Sequence, residues 1–135
     1  MVNIPADQPI FLAKAEESLA GAESELAAGR YNNCVNRCYF ACFQAAIVAL
    51  MQAGVTPPGA RRLWARDFVQ SEFSGRLIHR RKQYPPDFKN TLARLLVLRQ
   101  EAGYRAVEVS QRQAMQAIRL AHRFVQSVRA RTGGA

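Results

Sequence analysis

Arg99 stands where a cation is out of place. In the segment from Asn90 to Arg99, the residues Leu92, Leu95, Leu96 and Arg99 recur at i, i+3, i+4 and i+7. That spacing puts all four on one helical stripe, with the guanidinium at the end of a face meant for the core. A cation there must be paired, snorkelled to water or held for a ligand, because an unpaired buried charge is very costly. Tyr104 follows in Glu101-Ala102-Gly103-Tyr104, which reads as a helix break. An arginine and a phenol beside a glycine can form a small anion-binding site. The same spacing also fits an arginine that caps the last carbonyls of its own helix.

The other cations are unevenly placed. Residues 60 to 135 hold 16 of the 19 lysines and arginines against five of the ten acids, while residues 1 to 59 are slightly acidic. The net charge of +9 therefore resides in the second half. The densest cluster, Arg80-Arg81-Lys82, follows His79 in a short segment closed by Pro85-Pro86. It reads either as a nucleic-acid contact or as a solvated connector. Sixteen of the cations are arginine, the side chain suited to bidentate phosphate contact. Such a balance points to a polyanion or an acidic protein partner, although an arginine bias can also be compositional.

Cys34, Cys38 and Cys42 recur every four residues, one row of a helix. They are poorly placed for disulfides and lack a nearby histidine, so small buried thiols in a reducing compartment are expected, with no metal and no cofactor. No apolar run comes near membrane-span length, and the first residues lack the pattern of a signal peptide. A cytoplasmic protein with no membrane association is expected.

The elements that must position these residues are helical throughout. A first helix from about Gln8 to Ala28 carries the stripe Phe11, Ala15, Leu19, Ala22 and Leu26, with Asp7 as N-cap and Gly29 as its stop. A second, from Tyr31 to Ala53, is apolar nearly all round from Cys38 to Met51, as a central helix should be. Its polar residues Asn33, Arg37 and Gln44 fall on one side, so one strip faces something polar. Val55 to Gly59 is a loop, and a third helix is expected from Arg61 to Phe73. Ser74-Gly75 then breaks to the basic connector. A fourth helix is expected from Pro86 to Ala102, and a fifth from Ser110, with Gln113 completing a capping box. The tail from about residue 131 should fray.

The run Asn36-Arg37-Cys38-Tyr39-Phe40-Ala41-Cys42-Phe43-Gln44, preceded by Tyr31, resembles the signature helix of HEPN-domain proteins. Leu98-Arg99-Gln100-Glu101-Ala102-Gly103-Tyr104 resembles their second landmark, a Leu-Arg helix end followed by Ala-Asp-Tyr. The resemblance implies a single domain over residues 1 to 135, an up-and-down all-α bundle of four to five helices that dimerises around a polar groove. Many members are metal-independent endoribonucleases, often toxins paired with a minimal nucleotidyltransferase or acting in defence. Their catalytic motif is an arginine followed four to six residues later by histidine. In that chemistry the arginine would stabilise the phosphorane while the histidine moves the proton. Neither His79 nor His122 has an arginine at that spacing, and Gly103 replaces the expected aspartate.

Three readings follow from these residues. The first is an RNA- or nucleotide-binding module built on Arg99, Tyr104 and Arg37, with His79, Arg80, Arg81 and Lys82 as further contacts. The second is a ribonuclease with Arg99 as electrophile and Tyr104 or His79 as acid-base. The third is a protein-interaction subunit for a nucleotidyltransferase or a related partner. A homodimer is expected because the second helix is apolar on more faces than a five-helix monomer can cover.

Overall fold

The computed structural model describes residues 7–59, 63–104, 106 and 108–132, all discussed below. The order is α1 (Asp7–Ala27), α2 (Tyr31–Gln52), α3 (Arg66–Glu72), a π-helical segment (Phe73–Arg80), α4 (Asp87–Tyr104) and α5 (Gln111–Arg131). No strand occurs among the described residues. The helices are those the periodicities predict, and the architecture is the all-α bundle that the resemblance implies.

α2 is the axle of the bundle and packs against α1, α3, α4 and α5. Its sequence explains this role, since from Cys38 to Met51 only Phe40, Phe43 and Gln44 escape full burial. By length and composition alone α2 could cross a membrane, which the search for an apolar run had not anticipated, but most of it is buried inside the bundle. One chain therefore covers nearly all of α2. The apolar excess from which a dimer was expected shrinks to Phe40, which is 37% exposed.

α1 lays Ala15, Leu19 and Ala22 on α2 and ends at Gly29, whose φ of 77° suits the left-handed turn after a helix. α5 opens on the predicted capping box: Gln113 N–H donates to Ser110 Oγ at 3.1 Å, and Ser110 N–H donates to Gln113 Oε1 at 2.9 Å. Its inward stripe is Ala114, Ala117, Ala121, Phe124, Val125 and Val128. Asp7 is the first helical residue of α1 rather than its N-cap.

Three elements differ from expectation. α3 begins at Arg66, so Leu63 lies before it and stays 65% exposed; Arg61 and Arg62 fall outside the described residues. Ser74-Gly75 does not break the chain, and the segment read as a basic connector continues as π-helix through Arg80. The cause is tertiary burial. Phe73, Leu77 and Ile78 are buried, and the Phe73 ring lies 5.2 Å from both Tyr84 and Phe124. The wider π turn keeps those side chains inward despite the weak helix formers between them. α4 also runs two residues past Ala102, so Tyr104 is helical. Of the tail expected to fray, Arg131 belongs to α5 and Thr132 Oγ1 donates to the Val128 carbonyl at 2.9 Å; residues 133–135 lie outside the described residues.

Candidate anion-binding cleft on the central helix

The N-terminal half of α2 presents Asn33, Asn36, Arg37, Phe40 and Gln44 at helical spacing, the predicted polar strip extended by Asn36. Together with Ser18 of α1 these side chains line a cleft of about 370 Å³. Gln44 anchors its inner end, its amide nitrogen donating to Ser18 Oγ at 2.8 Å and to the Lys14 carbonyl at 3.0 Å. Arg37 lies over α1 at Gly21: a Cβ on that glycine would stand 2.8 Å from Arg37 Cδ. A residue without a side chain is what lets the arginine reach this far.

Arg99 reaches the same strip from α4. Its Nε donates to Asn36 Oδ1 at 2.8 Å, and its guanidinium carbon lies 5.0 Å from the Phe40 ring centre and 5.6 Å from that of Tyr39. Arg99 is half-buried, and its Nη groups make no hydrogen bond among the described residues. Asp67 and Glu72, the acids of the neighbouring α3, pair with other arginines. Asp67 faces Arg66 at 3.7 Å, and Glu72 accepts from Arg76 at 3.0 Å. Arg99 is thus steadied by an amide and two ring faces, neither of which neutralises it. Nor does it cap its own helix, because it turns to α2.

The two rings belong to one array, with Tyr39 and Phe40 packed edge to face at 5.6 Å. Burial raises the Tyr39 phenol above its ordinary value of 10.0, while the charges of Arg66 and Arg99 oppose that rise. Arg66, at the start of α3, therefore belongs to the electrostatic surroundings of the cleft. Sequence reasoning missed Asn36 and Arg66 as participants. Asn36 carried a usable signal, being four residues before Phe40 and three after Asn33.

The remaining sequence-predicted residues are not gathered here. Tyr104 is 83% exposed at the end of α4. Five residues of helix rotate it by about 140° from Arg99, so the two do not share a face. Arg81 donates to the Ala53 carbonyl at 3.3 Å and caps the far end of α2. That places it about 25 Å along the helix axis from Asn36. His79, Arg80 and Lys82 are exposed near Arg81, and His79 and Lys82 border a separate cavity of about 550 Å³ beside Tyr84, Pro85 and Pro86. The basic cluster is a second region, and within it Arg81 has a structural task.

The cysteine row is buried on α2, as its spacing predicts. Contact with the Cys34 thiol, and then burial, hold Cys38 far above the ordinary thiol range, and burial does the same for Cys42. Thiols of that kind stay protonated and unreactive. Among the described residues no group of three or more histidines, cysteines or acids is placed to hold a metal.

Chemically, the cleft offers Arg37, the amides of Asn33, Asn36 and Gln44 and the Phe40 ring at its lip, with Arg99 meeting it through Asn36 and Phe40. No carboxylate or imidazole lines it. Such a set can seat a phosphate and a ring, and it lacks a side chain that moves protons at neutral pH. In comparison with known proteins, the family model for the HEPN domain matches residues 9–131, nearly the whole chain. No curated protein matches.

Proposed function

This chain belongs to the HEPN-domain family, and we propose that it is a binding module that holds the phosphates of RNA or of a nucleotide between Arg37 and Arg99. The observation that carries this reading is the state of Arg99. It is fixed by Asn36 and the faces of Phe40 and Tyr39, half-shielded from water, and has no neutralising carboxylate among the described residues. A guanidinium so arranged has lost part of its hydration without gaining a counter-ion, and a phosphate supplies one. Phe40, partly exposed beside it, offers a surface on which a base can stack.

The binding reading is favoured over an endoribonuclease because no imidazole or carboxylate lines the cleft. Tyr104, the replacement proposed from sequence, points away from it. The wider setting we propose is a toxin-antitoxin or defence system with a partner such as a minimal nucleotidyltransferase, in which the chain acts as a homodimer. Light scattering on the eluted protein should give twice the mass of one chain at micromolar concentration, and a monomer refutes the dimer.

The test of binding is a salt titration of fluorescence anisotropy with a labelled single-stranded RNA. Affinity should fall steeply, with a logarithmic slope of about −0.7 for each phosphate neutralised. Absence of binding, or binding indifferent to salt, refutes the proposal. Cleavage of the same RNA in EDTA, lost in Arg99→Ala, would replace it with the endoribonuclease reading.

A further inference from the structure

A second surface lies on the other side of α4. α4 and α5 both pack mainly on α2 and only lightly on each other. The space left between them is a groove of about 360 Å³ whose floor is Ala93, Val97, Leu98, Ala117 and Leu120, with Gln113 and Gln116 along its α5 side. A depression of about 300 Å³ shares Ala93, Arg94 and Leu120 with it and continues to Asp87. From Asp87 to Leu98 the trough runs about 17 Å, three turns of helix. Val97 is 52% exposed within it, a large apolar side chain left open to water.

The α4 lip carries Arg94, the α5 lip is formed by Gln113 and Gln116, and Arg112, Arg119 and Arg123 stand on the next strip of α5 outward, a basic margin to the groove. Asp87 holds Arg123 and closes one end. Arg94, Arg112 and Arg119 have no carboxylate partner among the described residues. Glu101 is the one further acid on that strip, a turn beyond Leu98. We propose that this groove docks an acidic amphipathic helix of a partner protein. Its apolar residues, spaced i, i+3, i+4 and i+7, cover Val97 and Leu120, while its carboxylates meet Arg94, Arg112 and Arg119.

The floor decides against the other occupants. It is aliphatic and has no ring on which a base can stack, so it suits a helix and not RNA. A second copy docked face to face would bring a margin of four arginines and two acids, Asp87 and Glu101, against its own duplicate, a net repulsion that an acidic partner does not meet. Arg94 and Arg99 are about 140° apart around α4, so groove and cleft can be filled together. The inference therefore does not depend on the nucleic-acid reading.

The test selects displayed helical peptides of about 12 residues, three turns, against the folded full chain and maps the binders by amide chemical shifts. Enriched sequences should be acidic with the stated apolar spacing and should shift Val97, Leu98, Ala117 and Leu120. Val97→Glu should weaken them by at least about tenfold without altering the circular dichroism. Arg94→Glu with Arg119→Glu should move the preference to lysine-flanked peptides. Several results would overturn the proposal: no such pattern, binders that map elsewhere, an oligoribonucleotide that perturbs this groove instead, or a dimer turned to monomer by Val97→Glu.

Discussion

A half-buried guanidinium resting on Asn36 and two aromatic rings is cheap to remove and hard to replace. Truncating Arg99 leaves Asn36 Oδ1 without its donor, but Asn36 is itself half-exposed and water can take the bond. The cation lies on the core stripe of α4 without an acid, so its loss leaves no unpaired buried charge behind. Arg99→Ala should therefore change the melting temperature by no more than a few degrees. RNA binding should weaken by about 1.5 kcal/mol or more, the low end for a hydrogen bond to a charged group. Arg99→Lys should recover little of it, because an ammonium cannot donate to Asn36 and present a planar fork at once. Thermal melts and isotherms on both variants check this, and a large stability loss with proportionate binding loss would return Arg99 to a structural role.

At the scale of elements, Gly21 of α1 makes room for the side chain of Arg37 of α2. A mid-helix glycine costs about 1 kcal/mol relative to alanine in helix propensity. The atom a new Cβ would meet is Arg37 Cδ, the middle of a flexible and exposed side chain that can move aside. Gly21→Ala is thus expected to leave the fold as stable as before or slightly more so. The same change pushes Arg37 out of its place over the cleft and should weaken RNA binding while the melting temperature holds or rises. A mutant that is less stable and binds normally would show that Gly21 serves helix packing alone. Elements were largely legible beforehand because their apolar spacing is strong: α1, α2, α4 and α5 fall within about two residues of the sequence reading. The π-helical segment was not, since its stability comes from Phe73 meeting Tyr84 and Phe124, residues remote in the chain.

For the whole molecule, charge sets both acid sensitivity and choice of partner. A hydrogen bond from Arg123 holds Asp87 below its ordinary value of 3.8, against a small opposing effect of burial. A carboxyl lowered by folding adds stability that is complete above its unfolded value and disappears as pH falls through the lowered one. Both groups are about half exposed, so the effect is small. Wild type should lose its advantage over Asp87→Asn as pH drops from 5 to 3, measured by thermal melts at each pH. An unchanged gap would mean that Asp87 contributes through its shape and not its charge. Protonating the other acids raises a net charge already at +9, and self-repulsion adds to the same decline.

By itself the sequence determined what periodicity and composition can carry. It specified the helices, the central place of α2, the capping box at Ser110, the buried cysteine row and the basic second half. Each of these depends on neighbours along the chain or on one helical face. It also singled out Arg99, because a charge on an apolar stripe is visible as a violated pattern. What it could not supply was the far side of each contact. That Arg99 meets Asn36 across 63 positions, that Tyr104 turns away, and that Arg81 caps α2 are outcomes of helix crossing and rotation. The basic cluster and the cleft looked like parts of one site because both are cationic. Only the length of α2, which keeps them at opposite ends, separates them. Such distances depend on how the helices pack, and packing is decided by the sum of side-chain shapes in the core rather than by any local run of residues.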